Sequence, residues 1–153
     1  MVAKKAGVPS LRRRLRSSIR RGRGFSSLAA GVPPSPQAFL ARRGRSFTYS
    51  GSWSSRLGDC GFHLNHIHPA GWISSAYYIG VPDRQPADPL AGHLKFGEPP
   101  WDIGLVDPVR RTVEPVSGRL VLFPSYLWHG TIPFHGRKSR TTIAFDVLPL
   151  SYG

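Results

Sequence analysis

Three histidines have residue spacings that suit a metal site. His66 and His68 lie two positions apart in the segment HLNHIHP, and His129 follows an apolar run in SYLWHG. Residues two apart in an extended segment point to the same side, so the first two imidazoles can face one metal ion. Neutral imidazole is a common ligand of transition metals, and three protein ligands leave coordination positions open, as catalytic metal sites do. We therefore predict an open metal site formed by His66, His68 and His129.

Ordinary structural roles are the alternative for these histidines. A histidine near the end of a strand is often a surface residue or a hydrogen-bonded core residue, and that interpretation stays open for the H-x-H pair. His63 would lie on the opposite side if the segment remains extended. His93 and His135 have no partner at a ligand spacing, so we interpret these two as ordinary polar residues.

Arg140 begins an otherwise apolar strand, eleven residues after His129. Along this strand Arg140 shares one face with Thr142, Ala144 and Asp146. Burial of a guanidinium costs several kcal/mol unless an anion neutralises it, and its planar fork suits a carboxylate. We predict that Arg140 binds a carboxylate, with help from the hydroxyl of Thr142. The alternative is a rim arginine in a surface ion pair.

Several short strands must position these residues. The segment FTYSGSWSS, residues 47–55, alternates aromatic or glycine residues with serine and threonine, as a half-buried strand does. Residues 119–124, RLVLFP, are almost continuously apolar, which predicts a strand buried on both faces. The chain contains 17 glycines and 15 prolines, and no convincing amphipathic helix follows residue 45. These features predict an all-β sandwich or jelly roll, with three further strands at residues 71–81, 93–96 and 141–149.

The positive charge is concentrated near the N-terminus. Residues 1–58 contain 13 of the 21 lysines and arginines and no acidic residue, whereas residues 59–153 have no net charge. We interpret residues 1–41 as a basic, Arg/Ser/Pro-rich leader, either a disordered arm or a truncation scar, with an organelle transit peptide as a weaker alternative. Residues 42–153 then form the domain. Any contact with nucleic acid would come from the leader and would be non-specific and sensitive to salt.

Cellular location is indicated only by what the sequence lacks. No segment approaches the roughly 18 consecutive apolar residues of a membrane span, and there is no secretory signal. Cys60 is the single cysteine and cannot form an internal disulfide. We therefore expect a cytoplasmic protein that does not enter a membrane.

Residues 40–150 resemble the 2-oxoglutarate/iron(II)-dependent oxygenase family. These are bacterial proteins in which the domain often follows tetratricopeptide repeats. The resemblance rests on HIHP, GWISSAYY, LFPSYLWHG and R-x-T taken together. It implies a double-stranded β-helix, the jelly-roll fold, with Fe(II) and 2-oxoglutarate as cofactors. It also implies a non-haem dioxygenase that hydroxylates an unknown peptide or small molecule and releases succinate and carbon dioxide.

The resemblance assigns roles to the candidate residues. His66 and His68 correspond to the H-x-D/E site of the wider superfamily, His129 to its distal histidine, and Arg140 with Thr142 to the site of the 2-oxoglutarate carboxylate. His68 departs from this pattern because it replaces the acidic ligand. The metal would then have three neutral ligands and keep its full charge, which a chelating dianionic 2-oxo acid could offset.

Two other functions remain open. A cupin-type metal enzyme that does not use 2-oxoglutarate also has H-x-H and a later histidine in a jelly roll. Cupins usually have a glutamate several residues after H-x-H, whereas here no glutamate occurs before Glu98. A non-catalytic metal-binding β module is the second alternative. If the chain is an oxygenase, one or two aromatic residues are expected to shape the substrate mouth, the candidates being Trp72, Tyr77, Tyr78, Trp101 and Trp128.

Overall fold

The computed structural model describes residues 38–42, 44 and 46–150. Within these residues the chain forms seven β-strands, one α-helix of a single turn and one 3₁₀ turn. The elements, in chain order, are α1 (Ala38–Ala41), β1 (Ser46–Leu57), β2 (Ile73–Gly80), β3 (Leu94–Phe96), the 3₁₀ turn (Trp101–Ile103), β4 (Arg111–Val113), β5 (Leu120–Pro124), β6 (His129–Thr131) and β7 (Arg140–Leu150).

The strands form two antiparallel sheets. The larger sheet has the strand order β1-β7-β2-β5, and the smaller one has the order β4-β3-β6. The hydrophobic core joins them: Ala76, Tyr78 and Phe123 of the larger sheet pack with Leu94 and Phe96 of the smaller. The expected all-β architecture is therefore confirmed.

Strand β7 carries polar residues into the interior. It lies between β1 and β2 in the larger sheet, with Leu57 opposite Arg140 and Ser74 opposite Asp146. Arg140, Thr142 and Asp146 are 2%, 4% and 7% exposed, so the predicted polar face of this strand is a buried face. Because successive strand residues alternate between the two faces of a sheet, all three side chains lie on the same side.

All five predicted strands are present, but the structure contains two more. The five predicted segments correspond to β1, β2, β3, β5 and β7. Strand β5 is not buried on both faces as predicted, since Leu120 is 47% exposed, and the strand also lies at the edge of the larger sheet. The three-residue strands β4 and β6 were missed, since such short segments become strands only by pairing with β3.

The predicted leader, residues 1–41, lies outside the described residues except for α1. The aromatic ring of Phe39 in α1 packs against Trp72 and Tyr126, with centroid distances of 5.6 and 5.9 Å. The indole of Trp72 also donates a hydrogen bond of 2.9 Å to the carbonyl oxygen of Phe39. These contacts attach α1 to the start of β2.

Each helix in the described ranges is too short or too polar to cross a membrane.

Candidate active site

The structure brings the three candidate histidines together. His66 pairs with His129 of β6 in an isolated β-bridge, with reciprocal backbone hydrogen bonds of 3.0 Å. The backbone N–H of His68 donates to the carbonyl oxygen of Ser125 at 2.9 Å, so the segment that carries His66 and His68 is also held by the residue that follows β5. Ring centroids are 4.3 to 5.1 Å apart, and one potential ligand atom from each imidazole lies within 4.8 Å of the other two. The arrangement can accommodate one metal ion.

Gly130 allows the two segments to approach. A Cβ atom at this position would lie only 2.3 Å from the side-chain oxygen of Asn65 and 2.8 Å from the carbonyl oxygen of His63. Because real Cβ atoms do not approach so closely, a larger residue would push the histidine-bearing segment away from β6. The glycine next to His129 therefore serves the geometry of the site.

Hydrogen bonds at Nδ1 set the protonation of all three rings. His66 Nδ1 lies 2.7 Å from the carbonyl oxygen of Leu64, and His129 Nδ1 lies 2.9 Å from that of Leu127. His68 Nδ1 lies 2.5 Å from a carboxylate oxygen of Asp146. These oxygens can only accept, so each Nδ1 carries the hydrogen and the neutral ring has its lone pair on Nε2. Burial lowers the pKa of His129 to about 3, so this ring is neutral near pH 7.

Arg140 is buried, and its hydrogen-bond partners among the described residues are uncharged. Its Nε donates to the carbonyl oxygen of Gly92 at 3.2 Å, and one terminal nitrogen donates to the hydroxyl of Tyr78 at 3.3 Å. Its guanidinium also lies over the Tyr78 ring, 4.9 Å from the centroid. No ion pair joins Arg140 to a carboxylate of the described residues, so the alternative of a rim arginine in a surface ion pair is wrong. Burial lowers the pKa of this guanidinium, because it disfavours the charged form. An anionic ligand would offset the cost of burying the positive charge.

A single cavity of about 80 Å³ connects the histidines with the arginine. His66, His68 and His129 line it together with Arg140 and Thr142. All five residues singled out from the sequence therefore face the same space. A ligand that has one end on a metal and a carboxylate at its other end matches this combination of groups.

A family model described as "Putative 2OG-Fe(II) oxygenase" matches residues 51–146. The match covers more than half of the chain and includes every residue that lines the cavity. The chain belongs to this oxygenase family.

A solved structure from the 2OG-Fe(II) oxygenase family shares the fold, and a second structure is a weaker match. An oxidoreductase of the 2OG-Fe(II) oxygenase family from Burkholderia pseudomallei matches with a TM-score of 0.51 and 14% identity, over 67% of this chain and 44% of that one. A prolyl-4-hydroxylase from Pseudomonas putida has a TM-score of 0.46 and 24% identity, over 65% and 51%. The chain thus spans about half the length of these structures. No curated protein matches it significantly. The predicted jelly roll is confirmed.

His63 also faces the cavity of this oxygenase domain, which the sequence did not reveal. A bend at Asn65 interrupts the extended segment, so the predicted alternation does not hold between His63 and His66. The two ring nitrogens of His63 lie 3.0 Å from the hydroxyls of Ser55 and Thr131. These hydrogen bonds occupy both nitrogens, so His63 helps to form the cavity wall and is not placed as a metal ligand. The only indication in the sequence that His63 lies at the site was its position within six residues of His66 and His68.

The buried His63 gives a prediction for acid stability. Burial, and then the nearby charge of Arg140, lower its pKa from 6.5 to about 4. The unfolded chain therefore binds this proton more readily, so stability is complete above pH 6.5 and is lost as the pH falls toward 4. The shift corresponds to about 3 kcal/mol. We expect the free energy of unfolding of the wild type, measured with urea, to fall as the pH is lowered from 6.5 to 4. In His63→Gln this fall should be smaller by about 3 kcal/mol. An equal pH dependence in both proteins would contradict the assignment.

The five aromatic candidates for the substrate mouth, of which one or two were expected there, lie in different surroundings. Trp72 and Tyr78 are 4% and 0% exposed and belong to the packed interior. Tyr77 points to the opposite side of β2 from Tyr78. Trp101 and Trp128 line a groove of about 790 Å³ that reaches His66. Aromatic content alone could not separate core residues from those at the site.

The other two histidines lie apart from the oxygenase site. His93 is absent from the cluster of histidines and has a buried Nδ1 without a hydrogen-bond partner. His135 is exposed beside Asp59 and Cys60, and these three side chains also lie close enough to share a metal ion. Metal titrations of the protein must therefore separate this exposed group from the buried site.

Proposed function

We propose that this chain is a 2-oxoglutarate- and Fe(II)-dependent dioxygenase. It hydroxylates a peptide or small molecule, with succinate and carbon dioxide as co-products. The observation that carries the proposal is the shared cavity, in which three imidazoles face a buried guanidinium that has no carboxylate partner among the described residues. Membership of the oxygenase family supports the same reaction class.

The donor groups fit the two cofactors. Three imidazoles whose Nδ1 hydrogen bonds leave Nε2 free to bind suit a borderline divalent metal such as Fe(II), and we assign this role to His66, His68 and His129. The guanidinium of Arg140 and the hydroxyl of Thr142 suit the far carboxylate of 2-oxoglutarate. When bound, the metal and the 2-oxo acid would supply the oxidative chemistry that protein side chains lack.

The protein contributes orientation and a dry environment. The carbonyl oxygens of Leu64 and Leu127 hold two imidazole rings in position through their Nδ1 hydrogens. The ring centroids of Phe123 and Phe96 lie 4.6 and 6.4 Å from that of His129, so an apolar wall shields this ligand. Exclusion of water strengthens electrostatic interactions inside the cavity and protects reactive species from side reactions.

The cupin-type alternative is less well supported. Glu98, the first glutamate after the H-x-H pair, accepts a hydrogen bond of 2.8 Å from Asn65 and forms an ion pair with Lys95. It does not join the histidine cluster of the described residues. Moreover, the buried Arg140 would have no ligand in an enzyme that does not use a dicarboxylate.

An anaerobic titration tests the proposed function. Addition of Fe(II) and then 2-oxoglutarate to purified protein should produce a visible metal-to-ligand charge-transfer band, because the keto acid chelates the metal. Succinate lacks the keto group and should give no band, and Zn(II) in place of Fe(II) should give none either. A folded, iron-saturated protein without the band would refute the proposal and leave a cupin-type enzyme or a non-catalytic metal-binding module.

A further inference from the structure

Replacement of the usual acidic ligand by His68 leaves a metal at this site with three neutral protein ligands. A carboxylate is nevertheless close by. We propose that Asp146 acts through His68 as the anion of the metal centre, so that a carboxylate that does not touch the metal provides the missing negative charge. This inference rests on the proposed function, because it presumes a metal bound to the three histidines.

The contact between Asp146 and His68 is short and buried. Asp146 Oδ2 lies 2.5 Å from His68 Nδ1, and the two side chains are 10% and 17% exposed. The hydroxyl of Ser74 donates to that of Ser125 at 2.8 Å, so its oxygen faces the same Nδ1 as an acceptor at 3.3 Å. Two acceptors thus surround Nδ1, which must carry the hydrogen and leave Nε2 for the metal.

Among the described residues, His68 is the only ion-pair partner found for the buried Asp146 carboxylate. Its second oxygen, Oδ1, is buried and has no hydrogen-bond partner within the same part of the chain. A carboxylate that served only to hold the fold together would be expected to have both oxygens satisfied, because an unpaired buried oxygen is costly. The positive charge of a metal ion bound to His68 would offset this cost.

Asp146 acts as a positioning residue rather than a ligand. The group of side chains close enough to share a metal contains the three histidines and not Asp146. A carboxylate on the distal nitrogen of a metal-bound imidazole fixes the tautomer and the ring orientation and makes the ligand more basic. Loss of such a partner typically weakens metal affinity by about 10- to 100-fold.

A double-mutant cycle tests this role in a Cys60→Ser background, which disables the exposed Asp59/Cys60/His135 group. Mn(II) affinity is measured by calorimetry for the parent, Asp146→Asn, His68→Asp and the double variant. We expect Asp146→Asn to weaken Mn(II) binding by about 10- to 100-fold when His68 is present. In the His68→Asp background the ligand is itself anionic, so removal of the second carboxylate should leave the affinity unchanged or improve it. Equal losses in both backgrounds would indicate a purely structural role and overturn the inference.

The imidazole of His68 in the wild-type protein provides a second measurement, which does not depend on the folding of a variant. In Zn(II)-loaded protein, NMR of ¹⁵N-labelled histidine should show His68 protonated at Nδ1, with a strongly downfield proton. An unprotonated Nδ1 would overturn the inference. Failure of the parent to bind metal at the histidines would instead refute the proposed function. A parent that binds Fe(II) and forms the charge-transfer band, but whose Asp146→Asn variant keeps its Mn(II) affinity, refutes only the role of Asp146.

Discussion

Replacement of Arg140 by methionine should weaken the binding of 2-oxoglutarate about a hundredfold or more while metal affinity is retained. Methionine fills much of the same buried space but cannot bind a carboxylate. A charge-assisted hydrogen bond contributes about 1.5–3 kcal/mol, and a bidentate guanidinium–carboxylate pair contains two of them. The affinity is measured by anaerobic titration of the Fe(II)-loaded protein, or by calorimetry with Mn(II). Arg140→Lys should restore part of the affinity, because it keeps the charge but not the planar fork.

Two controls separate the role of Arg140 from a general effect on the fold. Arg119 is exposed, and its guanidinium donates to the carbonyl oxygen of Glu114, so Arg119→Met should bind 2-oxoglutarate as the wild type does. A 2-oxo acid without the far carboxylate, such as 2-oxobutyrate, should bind with similar affinity to wild type and Arg140→Met. If Arg140→Met binds 2-oxoglutarate as tightly as wild type does, the carboxylate assignment is wrong.

His129→Ala should abolish measurable metal binding at the buried site. The substitution removes one of three ligands from a site whose other two come from a single short segment, and it leaves two imidazoles that bind a divalent ion only weakly. In the Cys60→Ser background, the parent should bind one equivalent of Mn(II) and unfold at a higher temperature when the metal is present. His129→Ala should show neither the bound equivalent nor the stabilisation.

His93→Ala is the matched control for the loss of His129. It also removes a histidine from the domain, but His93 does not belong to either group of potential metal ligands. Its Mn(II) affinity should equal that of the parent. Retention of one equivalent of bound Mn(II) by His129→Ala would show that the metal lies elsewhere and would exclude the three-histidine centre.

The predictions that succeeded depend on local patterns. Alternation of side chains along a strand correctly placed Arg140, Thr142 and Asp146 on one face of β7. The spacing of His66 and His68 correctly indicated that both rings can reach one point. Such periodicities follow from the geometry of the extended backbone and need no knowledge of distant residues.

The predictions that failed depend on surroundings. The apolar run of β5 is compatible with a central or an edge strand, and only the pairing of the sheet decides between them. Similarly, the sequence could not show which of the five aromatic candidates lie near the site, and Trp72 and Tyr78 are packed in the interior. Likewise, the position of His63 depends on a bend at Asn65 and on hydroxyls that come from β1 and β6.

The sequence alone was sufficient to indicate an all-β domain, three candidate ligands and a candidate carboxylate anchor, because strand periodicity and ligand spacing are properties of neighbouring residues. The oxygenase family was implied separately, by the resemblance of the motifs. Only the tertiary structure could bring His129 to the H-x-H pair and place Asp146 against His68, 78 residues away in the chain. It also showed that Arg140 is buried and forms no ion pair with a carboxylate in the part of the chain that the structure describes. Burial and long-range pairing arise from the packing of the whole chain, and no short stretch of sequence encodes them.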